Sequence, residues 1–220
     1  MIAPSFLDQL WLARHVILNG LGITVAISLL AIFAGSVLGV VVGLSLVYGN
    51  RWLRWVVRAY TDIIRGTPVL VLVLASYYVS SAVGVNLDPF SAGVLALAVF
   101  CSSHVGEIVR GGLQAIPKGQ TEAAKAIGLT FGQTFAYVLW PQALRQFLPA
   151  WVNTAAEMVK ASTLLSVIGV AELLLRSQEI ISRNFMSLQF YFFAGALYFL
   201  VNYGIERLGK YVERKTAIPS

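Results

Sequence analysis

The fold of this chain is decided first by the stretch Val16–Tyr48, which reads VILNGLGITVAISLLAIFAGSVLGVVVGLSLVY. It contains no charged side chain, and about 20 mostly apolar residues are enough for a helix to cross a bilayer. In the whole chain of 220 residues, 58% are hydrophobic and 12% are charged, whereas about 25% are charged in an ordinary soluble domain. The mean hydropathy is +0.76. We therefore expect an all-α integral membrane protein, and we exclude a soluble enzyme, a disordered chain and a disulfide scaffold.

Further apolar segments predict five transmembrane helices within a single domain, residues 1–220. The predicted spans are 16–48, 66–87, 89–107, 146–171 and 184–205. Of the 16 Lys and Arg residues, 12 lie between the first two spans, between the third and fourth, or after the fifth. The positive-inside rule makes these segments cytoplasmic, so the N-terminus is expected outside and the C-terminus in the cytoplasm. The net charge of +6 is then explained by basic loops and anionic membrane lipid, and not by nucleic acid.

The cytoplasmic loop 111–145 is too long for a plain connector and too patterned for a disordered one. Thr121 is predicted to cap a short helix that Gly128 ends. A second helical piece is predicted over residues 130–140, with Pro141 as its end.

The short helix is predicted to present two different faces. Ala123, Ala124 and Ile127 form a face of small and apolar residues, and Glu122 and Lys125 form a charged face. A face of small residues lets the backbone of another protein come close. This pattern indicates a docking helix.

The same loop resembles a known family. Glu122-Ala123-Ala124, then Gly128, then Val138-Leu139-Trp140-Pro141 match the signature E-A-A-x3-G-x9-I-x-L-P of the membrane subunits of bacterial ABC importers, with Val138 for Ile and Trp140 for Leu. The order and spacing of further segments are similar to the polar amino acid branch of that family (histidine, glutamate, glutamine and arginine type). These segments are Arg65-Gly66-Thr67-Pro68, Glu107-Ile108-Val109-Arg110, Pro117-Lys118-Gly119-Gln120, Pro141-Gln142-Ala143-Leu144-Arg145 and Lys160-Ala161-Ser162-Thr163-Leu164.

The resemblance covers about residues 19–214 and implies a type I ABC importer permease in the bacterial cytoplasmic (inner) membrane. It implies as partners a second permease chain (an identical copy or a sister permease), two ABC ATPase subunits, a periplasmic or extracellular solute-binding protein and an amino acid substrate. The residues that would couple to the ATPase are Glu122, Ala123, Ala124, Ala126, Ile127, Gly128 and Pro141. No cofactor is expected in this chain, since it lacks a G-x-x-x-x-G-K-[ST] segment, and the partner ATPase would bind ATP and Mg²⁺.

Polar residues inside the predicted spans are the candidates for a substrate pathway: His104, Asn153, Glu157, Ser162 and Thr163. A charge within a span is costly and tends to face a cavity or a partner. Glu157 either pairs with Lys160, three residues on, or contacts substrate. The residues themselves leave both interpretations open.

Other residues have structural interpretations. A fixed elbow before the second span is predicted at Asp62, Arg65, Gly66, Thr67 and Pro68. Glu107 and Arg110 are predicted to pair at the inner end of the third span. Lys160 matches a position of the family that the chain resembles. Gly35, Gly39 and Gly43 predict a close helix contact, within the chain or with a second copy. Glu172, Arg176, Glu179 and Arg183 are expected on an outer loop, as a solvated face or a docking surface for a binding protein. Two alternative classes remain. An intramembrane enzyme would need a catalytic motif such as H-E-x-x-H, which the sequence lacks. A channel would not explain the patterned cytoplasmic loop.

Overall fold

The computed structural model describes residues 5–216, and the segments of regular structure there are all helical. The helices are α1 (Phe6–Tyr48), α2 (Arg51–Gly66), α3 (Val69–Ala82), α4 (Pro89–Gln114), α5 (Lys118–Ala126), α6 (Phe131–Ile168), α7 (Leu173–Asn184) and α8 (Ser187–Thr216). Three of them, α1, α4 and α8, are each long and apolar enough to cross a membrane. The bent pairs α2–α3 and α6–α7 raise the number to five if each pair is one span, which is the number that the sequence predicted.

The first helix begins well before the apolar stretch at Val16 and has 43 residues. The Ser5 hydroxyl accepts a hydrogen bond from the Asp8 backbone N–H at 3.3 Å, and the Asp8 carboxylate accepts from the Ser5 backbone N–H at 3.3 Å. This reciprocal cap satisfies N–H groups that the first turn otherwise leaves unpaired. The uncharged stretch begins later than the helix, because Asp8 and Arg14 interrupt the apolar pattern.

The sixth helix passes through Pro141, so the prediction that Pro141 ends a separate piece is wrong. Thr130 caps the helix through a reciprocal pair of hydrogen bonds with Gln133. Directly before the proline the helix widens into a π-helical segment, Thr134–Leu139. In an α-helix, proline lacks an N–H and its ring clashes with the carbonyl four residues earlier. The wider π-helical turn moves that carbonyl away and so relieves the clash. The second piece of the loop and the fourth predicted span are therefore one helix.

The fourth helix lies at the centre of the molecule. It packs along α1, where Gly35, Gly39 and Gly43 face Cys101, Val105 and Val109 of α4. The predicted glycine contact is thus confirmed within the chain. The core continues onto α6 through Ala155 and Met158, which are buried.

Large apolar side chains cover the outside of the long helices. On α1 the exposed ones include Leu29, Phe33, Val37 and Val41, and on α8 they include Leu188, Phe192, Phe199 and Leu200. Only 11% of the most apolar stretch of α8 is buried within the chain. Such surfaces are stable against lipid or another apolar chain, and not against water.

Candidate functional site: the short helix α5, the elbow and the polar face of α6

The short helix α5 begins at Lys118 directly after Pro117, and not at a Thr121 cap as predicted; Thr121 lies inside it. Proline is favourable at a helix start because its missing N–H would have no partner there. The helix ends at Ala126, and two residues on Gly128 has a φ of +81°, a left-handed conformation that glycine adopts without strain. Beyond it, the Leu129 N–H donates to the Ala124 carbonyl at 3.1 Å and closes the end of the helix.

One side of α5 packs on the protein and the other is exposed. Ala124 is buried, with 3% of its surface exposed, whereas Ile127 is 77% exposed. Glu122, Ala123 and Ala126 are also exposed. The small face predicted from the sequence is therefore divided, since Ala124 faces inward and Ala123 and Ile127 face outward. The exposed side is apolar in part although it has no partner within the chain.

Contacts with neighbouring helices fix the position of α5. Gln142 of α6 donates through Nε2 to Oε1 of Gln120 at 3.3 Å. At the start of α6, the Phe131 and Phe135 rings pack edge-on against Tyr48, the last residue of α1, with centroids 5.3 and 6.0 Å away. The short helix therefore lies at the end of the molecule where α1 ends.

The other end of the molecule is marked by α7, which packs on α1 at Gly20. A Cβ on Gly20 would lie 2.9 Å from Cγ of Arg176. From Gly20 to Tyr48 the helix rises roughly 42 Å at 1.5 Å per residue, which is more than the thickness of the hydrocarbon core. Helices α5 and α7 are thus at opposite ends of a membrane-length molecule.

The predicted elbow is present between α2 and α3, which meet at an angle of 108°. The Thr67 hydroxyl donates to the Ile63 carbonyl at 2.7 Å and ends α2, and Pro68 directly precedes the first residue of α3. The backbone before a proline is biased away from the α-helical region, which explains the break at this point. Asp62, Arg65 and Gly66 are exposed on the outside of the elbow.

The predicted pair of Glu107 and Arg110 is confirmed and has a third member. Arg110 donates to Oε2 of Glu107 through Nη2 at 2.6 Å and Nε at 3.0 Å, and Arg58 of α2 donates to Oε1 at 3.1 Å. Only 13% of the Glu107 side chain is exposed. This network joins α2 to the end of α4. Arg58 and Glu107 are 49 residues apart, so no local sequence pattern indicated their contact.

A line of polar residues runs along the exposed side of α6. Asn153, Glu157 and Lys160 are spaced by four and three residues, which places them on one face of the helix, and all three are exposed in the chain. The Glu157–Lys160 ion pair, one of the two interpretations of Glu157, is not among those formed within residues 5–216, where the salt bridges are Arg58–Glu107, Arg110–Glu107 and Arg176–Glu179. Both charges are therefore presented outward.

The remaining pathway candidates have partners within the chain. The Ser162 hydroxyl is buried and donates to the Val159 carbonyl at 2.8 Å, and Thr163 donates to the Lys160 carbonyl at 2.7 Å. The half-buried His104 has Nδ1 3.1 Å from the Phe100 carbonyl oxygen, and its ring lies 4.3 Å from that of Phe100. These bonds are local, and no hydrogen bond or ion pair among residues 5–216 joins the three side chains to Glu157.

Glu172, predicted on an outer loop as part of a solvated face or a docking surface, is a buried carboxylate and the main functional residue that the sequence did not reveal. Glu172 is fully buried at the start of α7, where Oε1 accepts from the Leu175 N–H at 2.9 Å. Its Oε2 accepts from the Tyr198 hydroxyl of α8 and from the Thr24 hydroxyl of α1 at 3.4 Å. The Thr24 hydroxyl oxygen also accepts from the Leu173 N–H at 3.1 Å. The interpretation of Glu172 as a surface charge is therefore wrong.

These features define a class of protein. Up to five membrane-crossing helices and a short helix with an exposed side at one end are the properties of a multi-pass membrane subunit. The chain belongs to the family described as "Binding-protein-dependent transport system inner membrane component", which it matches over residues 35–218. It is thus the permease subunit of an ABC importer, a transport subunit and not an enzyme, as the resemblance implied.

Similar proteins cover nearly the full length of the chain. The arginine transport system permease protein ArtQ of Bacillus subtilis is 34% identical over 90% of this chain and 91% of its own length. The glutamine transport system permease protein GlnP of Escherichia coli is 32% identical over 96% of this chain and 97% of its own length. Among solved structures, one described as an amino acid ABC transporter with histidines superposes with a TM-score of 0.89 at 34% identity, covering 97% of this chain and 100% of that one. The MetNI methionine ABC transporter, at 23% identity and a TM-score of 0.80, shows the same fold.

Proposed function

We propose that the chain imports polar amino acids as one of two permease subunits, identical or sister chains, above two ABC ATPases that bind ATP and Mg²⁺. The related permeases are named for arginine and glutamine transport, which supports an amino acid substrate. The N-terminus lies outside and the C-terminus in the cytoplasm of the bacterial inner membrane. Helices α5 and α2 then face the cytoplasm, and α7 faces the solute-binding protein.

Coupling runs through α5. Its exposed side, formed by Glu122, Ala123, Ala126 and Ile127, fits into a groove of the ATPase, while Ala124 packs against the permease itself. Gly128 provides the left-handed backbone conformation that follows the end of the helix. The observation that carries the proposal is this short helix, which the Leu129–Ala124 hydrogen bond closes at its C-terminal end and Gln142 joins to α6, with a partly apolar side that no other described residue covers. Closure of the ATPases on ATP moves α5 and, through the continuous helix α6, the membrane-spanning part.

The substrate passes along the polar face of α6. Asn153, Glu157 and Lys160 are presented outward at the positions where a second permease chain or the pathway would meet the helix. A carboxylate and an ammonium three residues apart are complementary to the two charged groups of a zwitterionic amino acid. Ser162, Thr163 and His104 support the helices around this face through their backbone partners.

The test measures uptake and ATP hydrolysis by the reconstituted importer in proteoliposomes. Ile127→Ser removes an apolar side chain that is 77% exposed, and Val83→Ser, at a residue 71% exposed beyond the end of α3, is the matched control. We expect Ile127→Ser, and likewise Glu122→Lys, to lower uptake per ATP hydrolysed at least fivefold, while Val83→Ser leaves it unchanged. Equal uptake by Ile127→Ser and the parent protein would contradict coupling through α5.

A further inference from the structure

Helix α2 carries three different faces along its 16 residues. One face packs on the protein, and its members include Tyr60, whose hydroxyl lies 2.6 Å from Oγ of Ser102 on α4. Around the helix from it lies a stripe of four arginines, which are Arg51, Arg54, Arg58 and Arg65. Next to that stripe is an apolar face that stays exposed and includes Trp52, Trp55, Val56 and Ile63.

Much of both faces is exposed, although Arg58 bonds to Glu107 of α4 and Arg54 bonds to backbone carbonyls at the end of α1. Trp52 is 79% exposed and Trp55 is 68% exposed. Two open clefts, of about 560 and 460 Å³, lie between the tryptophans and the arginines; Arg51, Arg54, Trp55 and Arg58 line the larger one. Helix α2 carries four arginines and one carboxylate, that of Asp62, so its net charge is positive.

The direction of the helix is set by the elbow. Because α2 and α3 meet at 108°, α2 lies close to the membrane plane when the apolar α3 runs along the membrane normal. A surface helix with an aromatic and aliphatic face beside a row of arginines is the arrangement that enters the boundary between headgroups and acyl chains. The arginine row then faces the headgroups, whose phosphates suit the planar guanidinium.

We infer that α2 is a binding site for anionic phospholipid of the inner leaflet, with the headgroup held by Arg51 and Arg54 and the acyl region contacted by Trp52 and Trp55. The inference rests on the proposed function for the cytoplasmic position of α2. Arg58 contributes less, because its guanidinium is engaged by Glu107. Arg54 also donates to the Gly49 carbonyl at 3.2 Å, which holds it close to the end of α1.

The site has a mechanical connection to the coupling helix. Arg58 and Tyr60 attach α2 to α4 at Glu107 and Ser102. The end of α4 at Gln114 is followed directly by α5, which begins at Lys118. Lipid bound on α2 therefore steadies the helix from which the coupling helix extends.

The direct test counts lipids on the purified importer. The complex is placed in nanodiscs of equal phosphatidylglycerol and phosphatidylcholine, and native mass spectrometry gives the ratio of the two lipids that remain bound. Each arginine near an anionic surface raises affinity about fivefold. We expect a ratio well above one for the parent protein and a fall of at least fivefold for the double variant Arg51→Gln, Arg54→Gln.

The matched control is Lys210→Gln with Arg214→Gln, two exposed cations near the C-terminal end of α8. It removes the same charge and should change the ratio less than twofold. An equal fall in both variants, or no fall in the α2 variant, overturns the inference. So does loss of ATPase subunits from the α2 variant with its lipid ratio unchanged, because that result assigns the face to a protein partner. If the double variant does not assemble, the single variant Arg51→Gln is used, and we expect it to lower the lipid ratio at least twofold. The lipid ratio is measured without transport, so a failure of the proposed import activity leaves it unaffected.

Discussion

A Cβ atom on Gly39 would lie 2.5 Å from Cβ of Val105, so the backbones of α1 and α4 touch where these two residues meet. The same close approach repeats one turn away at Gly35 and Gly43. In a membrane, helices associate through such contacts between small residues, because lipid is as apolar as the side chains it replaces.

Replacing Gly39 by alanine tests this contact. The added methyl group must push the two helices apart, and overpacking of this kind costs about 1–3 kcal/mol. We expect a lower thermal unfolding midpoint for Gly39→Ala in detergent. Gly22→Ala in the same helix is the control, since nothing lies within 4 Å of the position of its Cβ. Equal midpoints for the two variants would show that α1 and α4 are not in contact at Gly39.

The buried carboxylate of Glu172 predicts a second stability effect. Glu172→Ala leaves the Tyr198 hydroxyl and the Leu175 N–H without their acceptor, and an unsatisfied buried donor costs about 1–3 kcal/mol. Glu172→Gln keeps one carbonyl oxygen and should cost less. Glu179→Ala, which breaks a partly exposed pair with Arg176, should cost about 0–1 kcal/mol. An unfolding midpoint for Glu172→Ala no lower than that of Glu179→Ala would contradict the network.

The contrast between these two sites shows what the sequence could predict. Gly35, Gly39 and Gly43 recur every four residues within one helix, so their common face is visible in the sequence alone. The partners of Glu172 are Thr24, at a separation of 148 residues, and Tyr198, at a separation of 26 residues. No local pattern joins such residues, and a glutamate between apolar residues on a short loop therefore resembled a solvated charge.

The left-handed glycine at the end of α5 predicts a third effect. An alanine at Gly128 must hold φ near +81°, which costs about 1 kcal/mol or more for a residue with a Cβ, although no neighbouring atom is in the way. We expect Gly128→Ala to lower both the unfolding midpoint and uptake per ATP hydrolysed. Gly132→Ala, in the first turn of α6 with the same open surroundings, should change neither. Unchanged coupling in Gly128→Ala would show that the helix end tolerates another conformation.

The end of the short helix α5 could be predicted from Gly128, but the course of α6 could not be predicted. Pro141 was interpreted as a helix end because proline removes a hydrogen bond and clashes with the preceding turn. The π-helical segment Thr134–Leu139 relieves that clash, and it depends on how α6 packs rather than on a residue pattern. The start of α5 was also predicted too late. The helix begins directly after Pro117, one turn before the predicted cap Thr121.

The polar face of α6 predicts a change in substrate affinity. Glu157→Gln keeps the size of the side chain and removes its charge, and no ion pair to Lys160 is lost with it. We expect the KM for uptake by proteoliposomes to rise about tenfold, because a charge-assisted hydrogen bond to an ammonium contributes about 1.5–3 kcal/mol. Glu179→Gln on α7 removes a charge outside the pathway and should leave the KM unchanged. Unchanged KM in Glu157→Gln for every amino acid tested would leave this face without a role in binding.

The most direct measurement of the central claim is cross-linking between α5 and the ATPase. The native Cys101 is buried, so a thiol introduced as Ile127→Cys is the accessible one for a short reagent that carries a maleimide at one end and an amine-reactive ester at the other, which joins the thiol to a nearby lysine of the partner in the assembled importer. The account predicts a covalent adduct of the permease with the ATPase subunit for Ile127→Cys and none for Val83→Cys. An adduct of Ile127→Cys with the solute-binding protein, or none with the ATPase, would contradict it.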